Sequence, residues 1–286
     1  MPEINWYPGH MAKFRRILID QLKSVDAVIE LCDARAPSAT RNPDLDRLCR
    51  DKARILVMNK ADLADDQMTR RWIDHFSARG LTAVKFNANG GKTREILSHI
   101  ERATKPMVDR MKARGVNKTV RLMVIGIPNV GKSTFINRLN GSNVVKASDR
   151  PGVTRTKQWV KVGPYMELCD TPGMLWPKLE DQNRAKMLAF LGSVRDQIMD
   201  GEGLAGDLLA TLMEVAPAQT IQRFKLTLPE GEPIPAPDVL LEMACKGRGW
   251  LLSGGRYDTD RAAALVLDEF RGGKVGKITL DDPRRL

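Results

Sequence analysis

Short apolar runs alternate with longer amphipathic stretches through the first two-thirds of the chain. Phe14, Ile17, Leu18 and Leu22 recur at helical spacing, with Lys13, Arg15, Arg16 and Lys23 mostly off that stripe, so residues 12–24 are predicted to be helical. AVIELC (27–32) reads as a strand, and a short helix is expected after Asn42-Pro43. ARILVM (53–58) is a second strand, followed by a helix over 66–79 that stops at Gly80. LTAVKF (81–86) comes next, then a helix near 92–103. The basic, weakly periodic stretch 105–118 reads as a connector or a partly exposed helix. RLMVIG (121–126) and YMELCD (165–170) are further strands. Strands alternating with helices of this length predict an α/β fold, a parallel sheet covered on both faces.

Beyond about residue 180 strand signals largely vanish. Helical periodicity takes over, interrupted by Pro229, Pro233, Pro235 and Pro237. The expected organisation is an α/β domain over 1–180 and a smaller, mainly helical domain over 181–286.

Charge adds a partner class to this picture. Among 286 residues, 46 Lys and Arg stand against 35 Asp and Glu, a formal net charge of +11, which favours contact with a polyanion such as nucleic acid. No apolar run approaches the roughly 18 residues needed to span a bilayer, and no lipid anchor is evident, so no membrane role is expected. The opening residues lack the apolar core of a signal peptide. Cys32, Cys49, Cys169 and Cys245 show no CxxC or CxxxH spacing and read as buried thiols of a reducing cytoplasm.

The most specific motif follows the strand 121–126. Gly126-Ile-Pro-Asn129-Val130-Gly131-Lys132-Ser133 is a complete G-x4-G-K-S sequence, and Ser133 and Thr134 open the helix STFINRLN. Strand, glycine-containing loop and helix N-terminus are what a phosphate cradle requires. Lys132 is expected to reach the β- and γ-phosphates, and Ser133 to offer its hydroxyl to Mg²⁺. Asp170-Thr-Pro-Gly173 ends the strand 165–170, where Asp170 can hold Mg²⁺ through water and the Gly173 backbone can approach the γ-phosphate. Thr154, in the loop between, is positioned to complete the Mg²⁺ shell. Asn59-Lys60-Ala61-Asp62 closes the second strand, where an aspartate can accept two hydrogen bonds from guanine and leaves adenine unmatched. Asn59 and Lys60 can buttress the ring and its loop, and Asn87-Ala88-Asn89 fits a supporting loop with a backbone N–H for the guanine oxygen. Asp33, Arg35 and Pro37 follow the first strand at the same edge, with a helix cap and an ion pair both open as readings.

The base-reading motifs precede the phosphate loop, the reverse of an ordinary GTPase. Taken in order, WYPGHM (6–11), DARAP (33–37), NKAD (59–62), GIPNVGKST (126–134), PGVTRTKQW (151–159) and DTPG (170–173) resemble the circularly permuted GTPases, most closely the ribosome biogenesis GTPase A family. Asn87 stands where a serine is commoner in GTPases. The position after D-x-x-G is Met174, a thioether that cannot orient water, where many GTPases carry glutamine. The resemblance implies that His10 takes part in hydrolysis, and that Asn129 belongs to a site where K⁺ stimulates the reaction. It further implies GTP and GDP as ligands, Mg²⁺ as cofactor, a helical second domain, and the large ribosomal subunit with its rRNA as partner. Basic residues of that domain such as Arg223, Lys225, Lys246 and Arg248 are expected at the ribosome. The resemblance also implies a cytoplasmic setting, and a monomer is expected. The competing reading is an RNA-binding module with GTP as a regulatory ligand and incidental turnover.

Overall fold

The computed structural model describes residues 16–87, 90, 93–141, 159–162, 165–170, 181–194, 200–228, 231 and 233–285. Six strands form its sheet: β1 (Ala27–Asp33), β2 (Ala53–Asn59), β3 (Thr82–Lys85), β4 (Val120–Gly126), β5 (Trp159–Lys161) and β6 (Met166–Asp170). Their spatial order is β3-β2-β1-β4-β6-β5, and every neighbouring pair is parallel except β5–β6. The hydrophobic pattern of the sequence does not mark β5. Three residues at a sheet edge, with Val160 alone pointing into the core, carry too little period to be seen.

The near-continuous apolar runs of β1, β2 and β4 follow from burial on both faces. Ile29, Leu31, Ile55, Val57, Leu122 and Val124 join one core with α5 (Arg94–Ala113) and α6 (Lys132–Asn140). The alternate residues Val28, Met123 and Ile125 pack with Leu18 and Leu22 of α1 (16–22). Cys32, Leu56 and Met58 meet Trp72 and Phe76 of α4 (Asp66–Ala78). Glu30, mid-strand, is also buried; it is satisfied by Arg41, whose Nε and Nη2 donate to its two oxygens at 3.1 and 3.0 Å. All four cysteines are buried.

Of the two readings open for 105–118, the partly exposed helix holds as far as Ala113, for α5 runs on through Pro106. Proline removes one backbone donor and usually ends a helix. Here the exposed face continues with a Lys105–Asp109 pair at 3.1 Å, and Met107 and Val108 pack onto the sheet core, so packing outweighs the lost bond.

Register decides where chemistry can gather. Asp33 lies opposite Asn59, Leu31 opposite Gly126, and Val124 opposite Asp170, so one carboxyl-end edge carries the described parts of the DARAP, NKAD, phosphate-loop and DTPG motifs. The chain enters at β1, beside the P-loop strand β4, and visits β2, which leads into Asn59-Lys60-Ala61-Asp62, before β4. The sheet is therefore that of a circularly permuted nucleotide-binding domain.

The helical part comprises α7 (Gln182–Phe190), α8 (Gly201–Val215), α9 (Pro217–Phe224), α10 (Pro237–Arg248) and α11 (Thr259–Arg271). Asp181, Asp200 and Asp258 cap α7, α8 and α11 by accepting first-turn N–H groups. The helices share a core of Leu204, Leu208, Leu212, Phe224, Leu240, Val266 and Phe270 that also takes in Ala36 and Ala39. Ala36 caps and Ala39 lies within α2 (Pro37–Thr40), which follows β1; the short helix expected after Asn42-Pro43 is α3 (Asp44–Leu48). α7 faces both ways: Ala185 and Leu188 join the sheet core, Ala189 and Phe190 the helical one. The boundary expected at 180 falls in 171–180, outside the described residues.

Candidate nucleotide-binding site

β4 delivers the chain into the phosphate loop at Gly126, where a Cβ would stand 2.8 Å from the Leu31 carbonyl oxygen. Gly131 has φ +93°, and a Cβ there would meet Asn59 Nδ2 at 2.5 Å. Only glycine satisfies both the left-handed backbone and the close approach. Lys132, buried at the first position of α6, donates from Nζ to the Ile127 carbonyl at 2.8 Å, which folds its ammonium back over the loop. Ser133 and Thr134, half-buried, sit in that same first turn. The positive end of α6 suits an anion at this point.

The base-side motif is bonded directly to the phosphate loop. Asn59, buried, donates from Nδ2 to the Val130 carbonyl at 2.8 Å. Lys60 donates from Nζ to the Asn129 carbonyl at 2.8 Å. Both Lys60 (φ +57°) and Asn129 (φ +59°) hold left-handed backbones, a strain of the kind that collects at functional turns. Ala61 N–H donates to Phe86 O at 3.1 Å and Phe86 N–H to Met58 O at 2.8 Å, which brings half-buried Asn87 alongside the turn. Asp62 is exposed at the tip of that turn. Asp170 ends β6 next to the phosphate loop. The predicted residues Asn59, Lys60, Asp62, Asn87, Asn129, Val130, Gly131, Lys132, Ser133, Thr134 and Asp170 thus occupy one edge. His10, Ala88, Thr154 and Gly173 lie outside the described residues.

Sequence reasoning left Asp33 and Arg35 without a settled role, and the structure makes them a buried pair. Arg35 Nε and Nη2 donate to the two Asp33 oxygens at 3.0 and 2.8 Å, and both side chains are 2% exposed. Burial by itself pushes the Asp33 carboxyl up. The charges of Arg35 and then Lys60, 3.4 Å away, outweigh it and hold the group well below the usual carboxylate range. Arg35 Nη1 also donates to the carbonyls of Phe270 and Arg271, at 3.3 and 3.1 Å, at the C-terminal end of α11. From the other side, Arg271 donates to Phe190 O and Ala189 O at the end of α7. Asn129 Nδ2 donates to Gly192 O, just beyond, at 2.6 Å. A closed circuit of polar contacts therefore joins phosphate loop, base turn, β1, α11 and α7. Its sequence signal was present: two opposite charges directly after a fully buried strand must pair.

Two of the basic residues expected at a partner surface are differently occupied. Arg223 and Arg248 both donate to Glu269, which is 5% exposed. Burial tends to raise the Glu269 carboxyl, but the two arginines hold it down. Their charge serves α9–α10–α11 packing, whereas Lys225 and Lys246 are exposed.

The strand order, the glycine-shaped phosphate loop and the base turn bonded to it define a circularly permuted P-loop GTPase. A family model described as 50S ribosome-binding GTPase matches residues 121–215, beginning in the P-loop strand. Ribosome biogenesis GTPase A of Bacillus cereus is 44% identical over 285 residues, covering 98% of this chain and 94% of that one. Mitochondrial ribosome-associated GTPase 1 of Bos taurus is 33% identical, with 96% and 88% covered. The GDP-bound structure of TM YlqF matches with a TM-score of 0.69 at 26% identity, covering 94% of this chain and all of the other. The chain belongs to the ribosome biogenesis GTPase A family.

Proposed function

We propose that this protein is a cytoplasmic GTP-hydrolysing assembly factor. It binds the large ribosomal subunit through rRNA late in maturation and leaves when GTP is hydrolysed. The observation that carries the reading is the direct bonding of Asn59 and Lys60 to the backbone of Val130 and Asn129, which couples base recognition to the phosphate loop. The names of the relatives and the net charge of +11 support the ribosomal partner. In this reading residues 1–180 handle nucleotide and residues 181–286, with exposed Lys225 and Lys246, supply ribosome contact.

Asp62 pairs with the guanine base, Asn87 and Ala88 back it, and Lys132, Gly131, Ser133 and Thr134 hold the phosphates with Gly173. Ser133 and Asp170, with Thr154, are oxygen donors suited to Mg²⁺. Bound there, the ion offsets phosphate charge. Met174 leaves the attacking water to another group, and His10 is the candidate: a neutral imidazole accepts a hydrogen bond from water near neutral pH. Asn129 keeps its side-chain oxygen for K⁺ while its nitrogen is engaged by Gly192.

Sedimentation of lysate with a non-hydrolysable GTP analogue or with GDP tests the proposal. The protein should travel with a large-subunit particle under the analogue, be released under GDP, and be lost as salt rises. Equal distribution under both nucleotides refutes it. Met174 favours the alternative of an RNA-binding module with incidental turnover; ribosome-stimulated multiple turnover would exclude that alternative.

A further inference from the structure

After α11 the chain turns back across the molecule and threads between two loops on the base side. Ile278 N–H donates to Leu63 O at 3.1 Å, and Leu280 N–H to Arg35 O at 2.7 Å. Between them, Thr279 Oγ1 accepts from Asp65 N–H at 3.2 Å, and its hydroxyl is directed at Ala34 O at 3.4 Å. Asp281 Oδ2 accepts from Ser38 and Ala39 N–H at 2.8 and 3.3 Å, and the Asp281 carbonyl accepts from Trp72 Nε1 at 3.3 Å. Ile278, Thr279 and Leu280 are all buried.

One of the two loops is the turn that carries Asp62. Leu63 N–H closes that turn on Lys60 O at 2.9 Å, Lys60 anchors its start to Asn129, and Ile278 with Thr279 anchors its end. Exposed Asp62 thus stands between a clamp from the phosphate loop and a clamp from the C-terminal segment. A carboxylate that makes two directed hydrogen bonds must be held within roughly 0.5 Å. Residues 60–65 have little packing of their own to do this, since only Ala64 among them is buried.

We propose that residues 278–281 are a positioning element of the nucleotide site: they set the geometry of the Asp62 turn, so guanine nucleotide affinity depends on them. The inference rests on Asp62 as the base-reading residue. It also makes nucleotide binding depend on residues that the sequence assigns to the helical domain over 181–286. Thr279 touches no ligand and acts only through the backbone of Asp65 and Ala34.

The test uses full-length protein and paired substitutions. Thr279→Val keeps the shape and removes the hydroxyl; Thr279→Ser keeps the hydroxyl. Losing the acceptor for Asp65 N–H should speed release of fluorescently labelled GDP about tenfold. Turnover at saturating GTP should change less than twofold, and Thr279→Ser should behave as the parent. Native GDP release in Thr279→Val, or equal acceleration in the serine variant, overturns the proposal. A fall in melting temperature alone, with release unchanged, marks a merely structural role and also overturns it. Asp62→Asn is measured in parallel with guanine and xanthine nucleotides; retained guanine preference there removes the base assignment, whatever Thr279 does. Amide exchange in the unaltered protein is a second measurement. GDP should slow exchange at Asp65 and Ile278 together, and slowing confined to the 59–65 turn counts against the proposal.

Discussion

Arg35→Met is the sharpest probe of the circuit behind the nucleotide site. The native guanidinium makes two donations to Asp33 and two to the carbonyls ending α11, with almost no exposure. Methionine fills much of the same volume and supplies none of these donors. It leaves a buried carboxylate with Lys60, 27% exposed and 3.4 Å away, as its remaining cationic neighbour among the described residues. Breaking a buried pair from one side costs about 3–5 kcal/mol, and an unmet buried carbonyl about 1–3 more before relaxation. A loss of at least about 3 kcal/mol is therefore expected in urea unfolding. Asp33→Asn combined with Arg35→Met should recover roughly half of it, since the uncompensated charge is gone while the α11 carbonyls stay unmet.

The pH dependence has a definite sign. The native Asp33 carboxyl is held below its unfolded value near 3.9, so its contribution is fully present above that pH and is lost as pH falls through the lower folded value. In Arg35→Met burial dominates and the carboxyl shifts up, so the gap between variant and parent should shrink as pH falls toward about 4. A loss under about 1 kcal/mol, or a double variant whose effects simply add, refutes the reasoning.

Two further outcomes concern the reaction itself. Asn129→Ala should abolish the advantage of KCl over NaCl in GTP turnover at equal ionic strength; an advantage that survives removes Asn129 from K⁺ binding. His10→Ala should preserve GTP affinity while lowering turnover at saturating GTP; equal losses in both would make His10 a residue that holds its loop.

The motifs of the candidate site were legible because each is a local sequence pattern at the end of a strand. A strand, a glycine-shaped turn and a helix start place Gly131, Lys132 and Ser133 with no help from distant residues. Asn59 through Asp62 were readable for the same reason, as a polar set closing a buried strand. The strands themselves were marked by apolar runs, and their ends coincide within a residue or two with β1, β2, β4 and β6. Where local signals were thin or in conflict, packing against the sheet decided: three residues form β5, and the helix rather than the connector prevails through Pro106 in α5.

Long-range pairing belonged to the tertiary structure alone. Chain separation hides the contact of Arg35 with Phe270 and Arg271, of Asn129 with Gly192, and of Leu63 with Ile278. The same holds for Arg223 and Arg248, which look like free cations in the sequence until Glu269 is folded between them. A side chain's identity states what it can donate or accept. Whether that capacity faces a ligand or is already spent on a buried partner depends on which distant segment the core brings against it. The sequence by itself therefore determined the kind of nucleotide site this protein carries. Only the fold decided that its base turn and its C-terminal segment are one bonded unit.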